Sequence, residues 1–365
     1  MLTSSFAPVG DLSGLAARWC AFEQQTDCSF FQSWAWTGCL LEERFPDPVL
    51  LELRDGPRLV AMALFNRRAD RLGRECLWLG ESGRAEWDAA FIEYNGPLLA
   101  RDAPAALQCG LAAVLQATPR LGRTFGRRIV LSGVDEAVLH AALAAGAVVV
   151  RRETRPAPYI DFLPIRRRGG AYLDTLSAGT RYQIRRSERR YATGGPLTLR
   201  RAETTADAHG FLDALAALHQ RSWIQRGKPG AFANPAFLRF HHALIDRTAA
   251  QQQTDLLRIE AGAHVIGYLY NFRFRGRVSA YQSGFDYAAA ELHQKPGLTC
   301  HHLAAEMYLG AGMDSYDFLA GEAQYKTSLS NASAMLHWLE LAPAWSVPGL
   351  LGRLAAGWRG MLPAR

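Results

Sequence analysis

Nothing in this 365-residue chain reaches the run of about 18 apolar residues that a membrane-crossing helix needs. The opening MLTSSFAPVGDLSG has neither the charged nor the apolar region of a secretory signal, so a cytoplasmic location is expected. Cysteine is sparse, six residues at 20, 28, 39, 76, 109 and 300, and no CxxC pair or zinc spacing links them. Reduced thiols are therefore expected, with no disulfide or metal framework. The pairs His241-His242 and His301-His302 lack HExxH spacing, and His302 with Glu306 four residues on is one pair only, so no metal is expected. The absence of a GxSxG elbow disfavours a covalent acyl-enzyme, and no RNA-binding signature with aromatics at fixed positions is present.

What is present bounds the architecture. The length suits two domains, and 49% hydrophobic residues can supply their cores. The net charge of +7 is concentrated in Arg151-Arg152, Arg166 to Arg168 and Arg181 to Arg190. Such clusters favour an anionic partner: a nucleotide phosphate, a phosphopantetheine carrier, tRNA or a membrane surface.

In chain order, residues 1–28 read as a lead-in helix and SFFQSWAWTGCLLEERF as an aromatic-rich helix burying Phe31, Trp34 and Leu41. Residues 49–65 read as a hairpin about a DGP turn. Strands are expected at 75–79, 92–99, 128–132 and 147–152, and helices at 104–118 and 136–145. The second half repeats that plan, with a strand at LTLRRAE, helices at 207–226 and 235–249, and hairpins turning at Ala261-Gly262 and Arg275-Gly276. The fold class is thus α/β (α+β), two modules each with a mixed sheet flanked by helices. The expected boundaries are 1–160 for the first module, 161–343 for the second and 344–365 for an amphipathic tail. In that tail the apolar residues between 348 and 362 recur at threes and fours beside Arg353 and Arg359, a pattern suited to peripheral contact with a membrane or a partner, or to packing on the domain.

The chemistry concentrates between Arg277 and Ser328. RVSAYQSGFD reads as a strand, Pro296-Gly297 opens a helix, and SYDFLAG reads as a parallel strand, which makes a βαβ unit. Ligands in such units sit beyond the carboxyl end of the first strand, at the helix amino terminus. His293, Gln294, Lys295 and Gly297 form a polar, basic turn there, suited to a phosphate, with Arg181 and Arg185 as further cations. Glu322 and Asp317 could act as proton acceptors, while Asp317 could equally serve as a cap. Trp223, Arg226 and Lys228 close a helix at GKPG and could line an acceptor pocket; Tyr281, Gln282 and Ser283 lie on the nearest strand.

These motifs resemble a known family. YQSGFD, then KPG opening a helix, then YDFLAGEAQYK is similar to the C-terminal half of the CelD-like, FemAB-related acyltransferases of the GNAT superfamily. TLSAGTRYQIRRSERRYATGG, LAALHQRSWIQRGKPGAF, FFQSWAWTGCL and FIEYNGPLL resemble four further stretches of that family, from about Phe30 to Lys326. The resemblance implies tandem GNAT-like modules and an N-acyltransferase in which a small-molecule amine attacks an activated acyl carbonyl directly. It implies that Tyr325-Lys326 matches an aromatic-Lys pair whose lysine binds donor phosphate or the oxyanion. The superfamily's Gly-rich pyrophosphate loop is missing, which leaves three donors open: acyl-CoA, an acyl carrier protein or an aminoacyl-tRNA, none of them a permanently bound cofactor. The alternatives are an aminoacyl-tRNA-dependent peptide-bond-forming ligase and a non-catalytic binding module in a biosynthetic or exopolysaccharide assembly.

Overall fold

The structure, a computed structural model, describes residues 2–69, 75–88, 91–116, 128–347 and 349–354. Its strands are β1 (Leu2–Pro8), β2 (Pro48–Asp55), β3 (Arg58–Ala69), β4 (Glu75–Leu79), β5 (Leu98–Leu99), β6 (Arg128–Val134), β7 (Ala147–Asp161), β8 (Leu197–Arg201), β9 (Thr254–Ala261), β10 (His264–Phe274), β11 (Arg277–Phe285), β12 (Ser315–Asp317) and β13 (Ala332–Pro343). The helices are α1 (Leu12–Glu23), α2 (Trp34–Arg44), α3 (Ala106–Gln116), α4 (Glu136–Ala144), α5 (Leu163–Arg168), α6 (Ala178–Ala192), α7 (Thr205–Gln225), α8 (Pro235–Thr248), α9 (Pro296–Gly310) and α10 (Gln324–Leu329). Among the described residues no helix is long and apolar enough to cross a membrane.

Two compact units result, one from Met1–Thr154 together with the chain from Met335 onward, the other Arg155–Ala334. The run β2-β3-β4-α3-β6-α4-β7 in the first half recurs as β9-β10-β11-α9-β12-α10-β13 in the second. In each run three antiparallel strands precede a helix and a strand parallel to the third, since β4 pairs β6 and β11 pairs β12 in parallel. The last strand of each run completes the other unit. Residues Tyr159 to Asp161 of β7 pair antiparallel with β12 in the second unit, and β13 pairs antiparallel with β6 in the first, Leu339 opposite Leu131 and Leu341 opposite Ile129. Leu339 and Leu341 are buried in the first unit's core with Leu77, Leu79, Leu111, Ile129 and Leu131. The second core gathers Ile160, Phe162, Ile184, Ile259, Leu269, Val278, Phe285, Cys300, Tyr308 and Tyr316.

Several sequence expectations are corrected. The second unit ends at Ala334 rather than residue 343, because β13 finds its hydrogen-bond partner some 200 positions back in the chain. The first boundary falls at Thr154 rather than residue 160, inside the long strand β7. The lead-in begins with a mostly exposed edge strand, β1, paired antiparallel with β2, and not with a helix. In α2 the fully buried indole is Trp36, while Trp34 is only partly covered. Of the expected tail, position 348 and residues 355–365 lie outside the described residues. Residues 349–354 are helical, with Leu350, Leu351 and Leu354 exposed.

The strand expected at 92–99 exists only as the two residues of β5, and the reason bears on function. Residues 92–95 fill the space between the carboxyl ends of β4 and β6. The Asn95 amide donates to the Gly133 carbonyl at 3.0 Å, and its side chain donates to the Leu79 carbonyl at 2.9 Å. A Cβ on Gly133 would lie 2.4 Å from the Ile92 carbonyl oxygen and 2.8 Å from Glu93 Cα, so at φ +65° this position admits only glycine. The βαβ crevice of the first unit is thereby filled by its own chain.

Beside this plug the carboxyl of Glu81 is buried, accepts from the Ser132 hydroxyl at 2.5 Å, and has its pKa pushed up to about 8 by burial and then by Asp88. Folded Glu81 keeps its proton between pH 4.5 and about 8, where the unfolded chain has lost it, so stability falls as pH rises through that window and levels off above it. Glu81→Gln is expected to flatten this dependence, worth roughly 3–5 kcal/mol across the window. Urea unfolding at pH 5.5 and 8.5 checks it; equal slopes in wild type and variant would contradict the assignment.

Candidate active site

In the second unit the two parallel strands part early instead. β11 and β12 pair only from Arg277 to Ser279 opposite Ser315 to Asp317, and beyond those three positions the strands part. The chain after β12 follows β7 instead, the Phe318 amide donating to the Pro158 carbonyl at 3.0 Å and the Gly321 amide to the Pro156 carbonyl at 2.9 Å. Residues 280–285 of β11 therefore face the crevice without a neighbouring strand on that side. Leu319, at φ +61°, makes the turn; the Asp317 carboxylate accepts its amide at 2.6 Å. Of the two roles open to Asp317, proton acceptor or cap, that bond gives it the cap.

α9 begins at the crevice mouth. Pro296 stands at its first position, where no N–H is needed, and the following Gly297 and Leu298 amides have no carbonyl one turn earlier within the helix. Its cap, Lys295, donates its backbone N–H to the Ser187 hydroxyl of α6 at 2.7 Å, and Ser187 meets Thr299 at 2.8 Å. This pins the α9 start against the basic helix α6. His293 sits at φ +72° in the preceding turn, and its pKa is lowered by burial and then by Arg186, Arg190 and Lys295. Those three cations and the positive helix end form one anion-facing cluster.

Arg186 and Arg190, one turn apart on α6, replace the expected Arg181 and Arg185. Arg181 donates to the Leu176 carbonyl at 2.5 Å, and Arg185 is exposed on the next stripe of the helix. The side chain of Gln294 folds back to accept the Glu291 amide at 2.8 Å, so it shapes the turn. Gly297 keeps the helix start clear: a Cβ there would lie 3.4 Å from the Phe285 ring and 3.6 Å from the Tyr287 hydroxyl.

The far wall is α10. Lys326 donates from Nζ to the Leu319 carbonyl at 3.1 Å and the Ala320 carbonyl at 2.8 Å, binding the diverging segment to the helix. The Tyr325 ring, 38% exposed, stacks on His301 at 5.4 Å. His301, 3% exposed, reaches the Tyr316 hydroxyl through Nδ1 at 2.9 Å. Burial and then the Lys326 charge hold its pKa down at about 3, so the ring is neutral. Glu322 is exposed, where water competes with any role as base.

The remaining wall is the carboxyl end of α7. Arg226, its C-cap, lies 5.7 Å over the Tyr287 ring, and Trp223 stacks on His219 while Lys228 lies 5.8 Å over the indole. Gln282 and Ser283 lie on the open half of β11. Tyr281 does not line the crevice as expected. It is the extra residue of a bulge opposite Tyr270 and Asn271, and its ring is buried among Phe237, His241 and Phe272. The sequence marks His301 only as half of a His-His pair and His219 only within LAALHQRSWIQRGKPGAF; the fold brings both to the site. Among the described residues no group of three or more His, Cys, Asp or Glu side chains could hold a metal ion.

The comparisons with known proteins agree with this fold. Residues 178–327, spanning α6 to α10, match the model of an acetyltransferase (GNAT) domain. Among solved structures, FemX superposes with a TM-score of 0.61 at 8% identity over 96% of this chain and 99% of that one. A conserved protein of unknown function from Bacteroides thetaiotaomicron gives 0.57 at 10% identity, over 93% and 100%. The C-terminal domain of a putative lysylphosphatidylglycerol synthetase from Agrobacterium fabrum gives 0.52 at 11% identity, over 95% and 96%. At such identities these likenesses show a shared fold. No curated protein matches the sequence.

Proposed function

We propose, from the match of residues 178–327 to the model of an acetyltransferase (GNAT) domain, that the chain is an N-acyltransferase using an acyl-CoA or acyl carrier protein as donor. One observation carries the reading: the open half of β11 ends at the amino terminus of α9, beside Arg186, Arg190, His293 and Lys295. A phosphate at that helix start meets unpaired amides and three cations, and an attached pantetheine-like arm could add to the free edge of β11 as an extra strand does. Its acyl end would then reach Gln282, Ser283 and the end of α7, where Trp223 and Arg226 suit a small amine acceptor. The crevice brings donor and amine together in one orientation, which is the main source of acceleration in a direct transfer.

The test is binding of acetyl-CoA by calorimetry. Arg186→Glu with Arg190→Glu is expected to weaken it roughly tenfold or more, since charged hydrogen bonds are worth about 1.5–3 kcal/mol each. Unchanged affinity would remove the α9 start as the phosphate site.

A second reading has its own observation. Arg185, Arg189 and Arg190 are all exposed along α6, more positive charge than one pyrophosphate neutralises, which suits an aminoacyl-tRNA donor. In that case tRNA binding should fall with salt at a log–log slope of roughly −4, as expected for about five phosphates. Salt-insensitive or absent tRNA binding beside tight acetyl-CoA binding decides for the first reading.

A further inference from the structure

His219 lies near the end of α7, 6% exposed, with Nδ1 3.1 Å from the Ser283 carbonyl oxygen on the open half of β11. A carbonyl only accepts, so Nδ1 carries the proton and Nε2 holds a lone pair. That Nε2 is buried and has no hydrogen-bond partner among the described residues. An unpaired buried acceptor costs about 1–3 kcal/mol, a cost that a proton donor brought to Nε2 would relieve. The ring's other neighbours are apolar faces: Trp223 stacked at 5.6 Å and Phe232 edge-on at 5.1 Å.

Burial and then the charge of Arg226 lower the His219 pKa, against the raising effect of the Ser283 bond, so the ring is unprotonated at neutral pH. The charged groups nearby include Arg226, Lys228 over Trp223, and Arg221, whose guanidinium is 4.0 Å from Asp286 just after β11. β11 contributes the Ser283 carbonyl, and the turn Ala231–Ala233 contributes Phe232. A neutral imidazole with its tautomer fixed from behind and a lone pair held away from water has the form of a general base.

We propose that His219 is the proton acceptor of the transfer reaction, with a primary amine as acceptor substrate placed at the carboxyl end of α7. The assignment rests on the acyl-transfer reading above. The amine lone pair forms the C–N bond to the thioester carbonyl carbon, and the amine proton passes to Nε2. The C–S bond then breaks with its electron pair on sulfur, and the proton on Nε2 goes to the thiolate. The products are an amide and a free thiol. Phe232 packs edge-on against the ring, so the turn Ala231–Ala233 must move aside for an amine to reach Nε2.

The experiment follows thiol release from acetyl-CoA in the presence of a panel of primary amines, with wild type, His219→Ala and His219→Gln. Both variants should bind acetyl-CoA within about twofold of wild type and lose about 10²- to 10⁴-fold in turnover. Added imidazole should restore at least about tenfold in His219→Ala, where it can occupy the vacated space, and not in His219→Gln. Should His219→Ala fail to fold, His219→Gln is read alone, and lost turnover with wild-type acetyl-CoA binding supports the base. An active wild type with both variants within about threefold of it overturns the proposal and leaves acyl transfer standing. Loss in both variants without any response to imidazole assigns the ring to packing and likewise overturns it. A wild type that transfers from neither acetyl-CoA nor an acetylated carrier protein overturns this proposal and the acyl-transfer reading together.

Discussion

A chain cut after Ala334 is expected not to fold, although every residue of the matched acetyltransferase domain is still present. The cut removes most of β13, whose Leu336, Leu339 and Leu341 are all at most 2% exposed, and leaves β6 with an unpaired edge. Losing a buried leucine costs about 2–5 kcal/mol, and three of them match or exceed the whole stability of about 5–15 kcal/mol that a domain possesses. The open edge adds a site for aggregation. Soluble yield and near-ultraviolet circular dichroism measure the outcome. Leu339→Asp in the full chain should reproduce much of it by placing an unpaired charge in the same core. A cooperative transition in the shortened protein would show that β13 is dispensable to the first unit.

The second large effect is expected at Lys326. Two of the three ammonium N–H groups are given to the Leu319 and Ala320 carbonyls, so the lysine holds the wall of the crevice as well as placing a positive charge beside His301. Lys326→Met should lower turnover on acetyl-CoA by about 10²- to 10³-fold, the loss typical when a preorganised donor of a closed site is removed. It should also lower the melting temperature by a few degrees, because two carbonyls lose their partner. Lys326→Arg keeps the charge but not the point geometry and should recover part of the rate. Wild-type turnover in the methionine variant would exclude the lysine from the reaction.

The parts of this fold that are legible in the sequence are those written at short range. The β2–β3 hairpin turns at Gly56, φ +57°, as its DGP signal requires, and α9 starts at Pro296. The partner of β13 is β6, about 200 residues away, and no periodicity encodes that distance. β1 escapes a reading by pattern because an exposed edge strand lacks the alternation by which strands are recognised. At the site, the basic turn at 293–295 is legible from charge and from Pro296. Which arginines join it depends on the phase of α6, set by its cap at Ser177, and that phase favours Arg186 and Arg190 over Arg181 and Arg185. Tyr281 misleads because one bulge residue turns its ring to the opposite face. The tautomer of His219 is a property of its contact with Ser283, which the sequence does not contain.

The exchange of final strands sets a schedule for biosynthesis. The first unit waits for residues from Met335 onward, so about 180 residues must be made after Thr154 before β6 gains β13 as its second neighbour. At about 5–20 residues per second the nascent chain carries that bare edge for on the order of ten to forty seconds. Over the same interval the second unit receives its own borrowed strand early, since Arg155 to Asp161 precede everything they pair with. On the ribosome the order of completion is therefore inverted: the unit encoded last is finished first, and the crevice-bearing half is assembled before the half whose crevice is filled.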